Sequence, residues 1–539
     1  MTKTQRRRVV GLEPLERREM LAVDYVVHIS VDGLRPDAVA SLGPALAPNF
    51  FRLRSQGAIT DNARTDFDFT VTLPNHTSQL TGRPVQGAGG HNFTANDDIG
   101  GTIHDVKGSY VASAFDVVHD HGLATGLYAG KSKFAIYDRT WDAANGAPDV
   151  TGADNGRDKI DNYVFNADLS QLTSRFVSDM TSAPLNYTLL HLADPDPAGH
   201  THGWLSGDYL TAVRAVDAAL GGVFNLIDAN STFTGRTAII LTADHGGTAF
   251  THTSASDPAN FIIPFYVWGP GVSAGEDLYA INSGDRQIPG ITRPNNETTP
   301  QPIRAAEAAN LALDLLGLPA VPGSQFGAAQ DLDVISAGSK WITNLYDDLL
   351  GRAGTNAEIL HWKQRLDTGI PRDLVVRQIQ QSAEYRSRAI DGFYQSLLGR
   401  TLDPAGRQFW LSATAGGLPL ENVRRAILVS GEYFARHGAN HAGYVAGLYS
   451  DLLGRGASSA ESDFWQQSLA AGVPRASVVA AFAASPEFYA RQVNLAYPQF
   501  LNRPADPLGR AWWVNFLAAG GTLPQFEQAL LASPEYFNR

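Results

Sequence analysis

The run Thr237-Ala238-Ile239-Ile240-Leu241 carries no charge and is rich in β-branched residues, and it leads directly into Thr242-Ala243-Asp244-His245-Gly246-Gly247. Such a run reads as a strand that delivers an acid and an imidazole onto a loop. The two glycines there let backbone come close to a ligand. Asp-His-Gly is also ordinary turn chemistry, so the pair gains meaning only in company.

The same grammar recurs. Tyr25-Val26-Val27-His28-Ile29-Ser30-Val31 is strand-like and ends in the turn cluster Asp32-Gly33-Leu34-Arg35-Pro36-Asp37. Helical patterning is expected over Pro48 to Gly57, Ser109 to His121, Leu169 to Met180 and Asp208 to Ile227. Strands are expected at Thr125 to Ala129, Tyr187 to Leu192 and Phe261 to Trp268. Strands alternating with helices predict an α/β domain with a largely parallel sheet flanked by helices. Ligands of such sheets bind beyond the carboxyl ends of the strands, which is where Asp32 and Asp244 fall.

Further stretches supply chemistry. In Thr72-Leu73-Pro74-Asn75-His76 a threonine stands at an apparent helix start, where exposed N–H groups favour phosphate. Thr72 is therefore a candidate nucleophile, while Thr72 or Asn75 acting only as a helix cap is the alternative. Gly87-Ala88-Gly89-Gly90-His91-Asn92 is a loop whose Asn92 amide offers a hydrogen bond to a phosphoryl oxygen, although loop asparagines more often serve turns. His191-Leu192-Ala193-Asp194-Pro195-Asp196-Pro197-Ala198-Gly199-His200 crowds acids and histidines after a strand, with Asp196 and His200 as the ligand pair. His252, in Thr251-His252-Thr253, completes a set. Lys131 and Lys133 in AGKSKF offer charge to a substrate, although most lysines face solvent.

Composition bounds these readings. A chain of 539 residues has room for several domains, and 44% hydrophobic with 18% charged residues fits a folded protein. A net charge of -12 argues against a nucleic-acid-binding surface, which needs a basic footprint. The absence of cysteine removes disulfides, thiolate ligands and a cysteine nucleophile. No stretch approaches the roughly 20 apolar residues of a membrane span.

Asp32, Thr72, Asp196, His200, Asp244, His245 and His252 together resemble the alkaline phosphatase superfamily, in its type I phosphodiesterase and nucleotide pyrophosphatase branch. The resemblance rests on VDGLRPD at 31–37, TLPNHTSQLTG at 72–82, DPAGH at 196–200, TADHGG at 242–247, and THT followed by IPFYVWGPGV at 263–272. It implies two divalent ions, zinc with manganese as the alternative, because oxygen and imidazole donors suit both. Asp196, His200 and His252 would hold one ion; Asp32, Asp244, His245 and the Thr72 oxygen would hold the other. It further implies Thr72 as nucleophile through a phosphothreonine, Asn92 on the phosphoryl oxygens, and a small phosphate ester or nucleotide as substrate. Phosphomonoester, phosphonate or sulfate ester cleavage are variants on the same site. Two departures stand out: Leu73 replaces the usual phenylalanine of Thr-Phe-Pro-Asn, and the loop from Gly82 to Asn92 is one residue short. Formylglycine sulfatases are disfavoured because their nucleophile is usually made from cysteine.

The ends of the chain differ in character. GLEPLERREMLA at 11–22 resembles the short sorting motif of exported planctomycete proteins, so residues 1–23 are expected to be a sorting tail and the protein to be exported. Beyond the hydrolase-like domain at 24–336, LYDDLLGR at 345, FYQSLLGR at 393, LYSDLLGR at 448 and AYPQFLNR at 496 open all-helical repeats. Trp362, Trp410, Trp465 and Trp513 recur as core anchors. Thr355, Asp403, Ser458 and Asp506, then Ser382, Ser430, Ser485 and Ser533, stand as helix caps. The repeats group as 340–434 and 435–539, with about seven extra residues near Gly438-Ala439-Asn440. They resemble a family of unknown function related to phycobilisome linker domains and are expected to meet a cell-surface or matrix partner. In the alternative reading they carry the function and the front domain is a weak or inactive enzyme.

Overall fold

The computed structural model describes residues 23–149 and 156–539. All of the expected sorting tail except Val23 lies outside the described residues. The chain divides between Ser336 and Ala337 into two units.

The first unit is built on one eight-stranded sheet. Its strands are β1 (Tyr25–Val31), β2 (Ala58–Arg64), β3 (Thr125–Ala129), β4 (Asn162–Phe165), β5 (Tyr187–Leu192), β6 (Thr237–Thr242), β7 (Ile262–Trp268) and β8 (Glu276–Asp277), in the order β4-β3-β5-β1-β6-β7-β2-β8. The five from β4 to β6 run parallel, and β7 lies antiparallel to both β6 and β2. β3, β5 and β6 are buried along their whole length, as the uncharged apolar runs require of a sheet covered on both faces. Because β3, β5, β1 and β6 are parallel neighbours, their carboxyl ends share one edge. Lys131, Asp196, Asp32 and Asp244 all follow those ends.

Four helices of this unit are α1 (Thr72–Thr81), α2 (Leu169–Ser182), α3 (Pro195–His202) and α4 (Gly207–Ala229), of which α1, α3 and α4 carry residues at that edge. Every residue of α1 is buried. Against the expectation that no stretch reaches the length of a membrane span, α4 is long and apolar enough to cross a membrane by length and composition, but Val213, Val216, Leu220, Val223, Phe224 and Ile227 lie in the core of this unit. Its Asp217 accepts the N–H groups of Asn49 and Phe50. Between Ser109 and His121 the expected single helix is shorter. It runs Ala114–Asp120 behind a Ser113–Asp116 capping box, and a separate turn at Ile103–Lys107 carries its own Thr102–Asp105 box.

The second unit is helical. Thr355, Asp403, Ser458 and Asp506 each cap a helix through a backbone N–H three residues on. Trp362, Trp410 and Trp513 are partly buried and donate their indole N–H to Tyr346, Tyr394 and Tyr497. Arg352, Arg400, Arg455 and Arg503 each pair with the glutamate 32 positions on: Glu384, Glu432, Glu487 and Glu535. Its two cores join the first repeat with the fourth and the second with the third, across the sequence grouping at 434 and 435. The extra residues near Gly438 break a helix: Asn440 starts a new one at His441–Leu448 by accepting the Gly443 N–H.

Candidate active site and metal centre

Asp32 leaves β1 into a turn that Gly33 closes at φ +70, and a Cβ on Gly33 would come within 3.1 Å of the Asp196 Cα. The glycine is what lets the β1 and β5 loops touch. Its N–H donates to Asp244 Oδ1 at 3.1 Å, and its carbonyl accepts from Trp204 Nε1 and Tyr209 Oη. One residue thereby ties together the loops after β1, β5 and β6.

The six expected ligand side chains converge. His200 Nε2 lies 3.3 Å and His252 Nε2 3.8 Å from Asp196 Oδ1. His245 Nε2 lies 3.4 Å from Asp32 Oδ1 and 3.2 Å from Asp244 Oδ2. The His245 and His252 rings stack with centroids 3.6 Å apart. Asp196, His200 and His252 form one group able to hold a metal ion, and Asp32, Asp196 and His245 form another.

Each carboxylate is held by one oxygen while the other is left free. Asp32 Oδ2 accepts from His191 Nε2 at 3.0 Å and pairs with Lys131 Nζ at 2.7 Å. Asp196 Oδ2 pairs with the same ammonium at 2.6 Å. Asp244 Oδ1 accepts the N–H groups of Gly33 and His245. Asp32 Oδ1, Asp196 Oδ1, Asp244 Oδ2 and His245 Nε2 are buried with no hydrogen-bond partner among the described residues.

The histidines follow the same rule. Nδ1 of His200, His245 and His252 faces the carbonyls of Phe250, Gly246 and Thr70, which fixes the proton there and turns the Nε2 lone pair inward. Burial holds His245 down to about 4; burial, and then His245, holds His252 down to about 3. Both are neutral donors at neutral pH. Burial and the neighbouring Asp32 push Asp244 well above the usual carboxylate range. Burial would also raise Asp32, but Lys131, with His191 and His245, holds it well below that range. Orphaned, buried, mutually facing donors of these types fit divalent cations and nothing apolar.

Thr72 is buried at the first position of α1, behind Val71, which supplies no side-chain cap. The capping alternative therefore fails for Thr72. It fails for Asn75 too, whose carboxamide instead bonds Asp66, Phe69 and Val71 in the preceding loop. Two contacts bracket Thr72. Upstream, His252 bonds the Thr70 carbonyl, and the Thr70 hydroxyl donates back to the His252 carbonyl. Downstream, His76 bonds the Thr72 carbonyl at 2.8 Å, with Nδ1 3.6 Å from Asp244 Oδ2. The Leu73 N–H, expected to be open to phosphate, donates instead to Asn96 Oδ1 at 3.0 Å. Asn92 is partly buried at φ +61, its N–H on the Val85 carbonyl.

Sequence reasoning gave no role to His76 or His191 and read Lys131 as charge for a substrate. Lys131 turns inward to two carboxylates rather than to solvent. His191 accepts the Gly130 N–H at Nδ1 and so presents Nε2–H to Asp32. His76 links Thr72, Ser30 and Asp244. The one available signal was position: His191 lies on a strand that ends at the site, and His76 lies one helical turn after Thr72.

Comparison with known proteins identifies the family of the first unit. A family profile described as type I phosphodiesterase / nucleotide pyrophosphatase matches residues 26–306. A domain of unknown function, DUF4214, matches 334–389 and 424–492. GPI ethanolamine phosphate transferase 1 of Mus musculus is 25% identical over 198 residues, covering 35% of this chain and 20% of the relative. That of Gibberella zeae is 29% identical over 188 residues, covering 29% and 18%. The chain thus spans about a fifth of the length of the curated relatives it matches. A structure of murine ectonucleotide pyrophosphatase / phosphodiesterase 5 in complex with AMP aligns with a TM-score of 0.40 at 16% identity, over 57% of this chain and 99% of that one.

Proposed function

Since the chain belongs to the type I phosphodiesterase / nucleotide pyrophosphatase family, a family of phosphoryl-transfer enzymes, we propose that it is a two-metal hydrolase of phosphate esters acting on phosphodiester or nucleotide pyrophosphate bonds. The observation that carries this reading is the set of orphaned atoms on Asp32, Asp196, Asp244 and His245. Asp196, His200 and His252 would hold one cation. Asp32, Asp244, His245 and the Thr72 oxygen would hold the other. Zinc is the proposed metal, and manganese the alternative.

When bound, the two cations supply Lewis-acid stabilisation of the Thr72 oxyanion, the leaving oxygen and the attacking water. Thr72 Oγ1 attacks phosphorus in line, its bond to phosphorus forming as the bond to one leaving oxygen breaks. The other ester arm stays on phosphorus, and water then cleaves the bond between phosphorus and Thr72 in the resulting phosphothreonine ester, releasing the monoester. Lys131 and His191 fix the outer oxygen of Asp32, so the site need not reorganise during the reaction. Asn92 would steady a non-bridging oxygen. The tryptophan-bearing repeats would position the enzyme at an extracellular surface, in keeping with the export expected from residues 11–22.

A second reading, transfer of the phosphoryl group to an alcohol rather than water, is favoured by the GPI ethanolamine phosphate transferases among the relatives. Both readings use Thr72 alike. The test is metal analysis of the purified chain together with turnover of a phosphodiester and a phosphomonoester, with and without added ethanolamine, repeated on Thr72→Ala. Metal-dependent diester cleavage abolished by the substitution supports the proposal. Failure of the metal-loaded protein to cleave either ester, or full activity in Thr72→Ala, overturns it.

A further inference from the structure

Lys133 is a partly buried cation without a counter-ion. Among the described residues it makes no ion pair, and its Nζ donates only to Asn96, at 3.0 Å to the carbonyl and 3.0 Å to the carboxamide Oδ1. Lys131, two residues earlier, is by contrast paired with both Asp32 and Asp196. Burial and the neighbouring Lys131 lower the proton affinity of Lys133, while Asp32, Asp244 and Asp196 raise it, so this side chain lies within the field of the site.

The same Asn96 oxygen accepts the Leu73 N–H at 3.0 Å. One neutral oxygen thus occupies a point where a backbone N–H and an ammonium meet, one residue from Thr72. A helix start whose own N-cap offers no side chain needs some acceptor. An ammonium there gains far more from an anion than from an amide. Thr72, the residue before Leu73, is linked through His76 to Asp244 Oδ2, an unpartnered atom of the site.

We infer that the Leu73 N–H and the Lys133 ammonium form a binding position for a non-bridging phosphoryl oxygen, which the Asn96 carboxamide fills until substrate displaces it. This rests on the functional reading above. Asn96 lies in a segment without regular secondary structure, followed by the exposed residues 97–100, so its side chain can swing out by rotation about its own bonds. Lys133 would keep its bond to the Asn96 carbonyl as this happens, and so would stay in place. Asn96 is then a positioning residue that screens the site from weak anions, and Lys133 adds charge recognition that the metal ligands do not provide.

The test uses the full-length, metal-loaded chain and inorganic phosphate as probe, read both as a shift in unfolding temperature and as competitive inhibition of diester cleavage. Asn96→Ala should tighten phosphate by roughly fivefold, and Lys133→Gln should weaken it by roughly tenfold, the scale of one charge-assisted hydrogen bond. Asn96→Asp, which sets a carboxylate permanently against Lys133, should also weaken it. Were Asn96 only a helix cap, Asn96→Ala would lower the unfolding temperature and leave phosphate affinity as in the wild type. Wild-type phosphate affinity in both Asn96→Ala and Lys133→Gln overturns the inference. Because the thermal shift needs no turnover, that outcome is distinguishable from failure of the hydrolase reading, which would show as an inactive wild-type chain.

Discussion

Lys131 Nζ lies 2.7 Å from Asp32 Oδ2, an ion pair set between two groups of side chains able to hold a metal ion. The same ammonium reaches Asp196, so one fixed positive charge offsets the repulsion of two buried carboxylates. Lys131→Met should therefore destabilise the chelator-treated protein by about 3 kcal/mol, as removing one partner of a buried pair does. Added metal would restore more stability to the variant than to the wild type. Urea unfolding with chelator and with zinc measures both; equal curves for variant and wild type would refute the role.

His191 fixes Asp32 from the other side. Its Nε2–H bond to Oδ2 leaves Oδ1 as the free ligand atom. His191→Phe should weaken metal binding by roughly ten- to a hundredfold, the usual effect of losing a hydrogen bond that orients a ligand. Competition against a chelator of known affinity checks this.

The strands that carry the site were legible because β1, β5 and β6 are uncharged runs and each ends near an acid. The side chains proposed as ligands were legible because they lie in short motifs just past those ends. β2 was not legible: Asp61, Asn62 and Arg64 hide its pairing, and the buried Arg64 is satisfied by carbonyls of Asn62, Ala63, Gly290 and Thr292. The inward turn of Lys131 was hidden for a related reason, since its partner Asp196 lies 65 residues away. In the repeats, the bond from Trp362 to Tyr346 spans one unit, whereas Trp341 reaches the Leu531 carbonyl 190 residues on. Period alone therefore does not say which repeat closes on which.

Trp204 is clasped between two glycines. A Cβ on Gly247 would fall 2.0 Å from its ring and one on Gly199 2.5 Å. The indole packs in turn against His200 and His252, with centroids at 5.1 and 6.0 Å. Gly247→Ala should cost about 2 kcal/mol by overpacking. It should also weaken binding at the metal site proposed for Asp196, His200 and His252 more than at the other proposed site, which metal titration followed by calorimetry would resolve.

Glu527, in the helical unit, has its carboxyl raised by burial from 4.5 to about 7, with Tyr385 and Gln380 as hydrogen-bond partners. Between those two values the folded state binds more protons than the unfolded one. Stability is therefore lost as pH rises through that window. For this partly exposed side chain the loss is about 2 kcal/mol. Glu527→Gln should match the wild type near about pH 4 and exceed it above about pH 8 in urea midpoint. A variant no more stable than wild type at the higher pH would contradict the assignment.

In the proposed reaction Thr72 receives the phosphoryl group. Rapid acid quench of the zinc-loaded chain with a phosphodiester, followed by peptide mass spectrometry, tests it directly. The peptide bearing Thr72 is expected to carry the substrate's phosphoryl group with its remaining ester arm, and this adduct is absent when chelator is added before substrate. Turnover with no modified peptide, or with the label on any other residue, would contradict it.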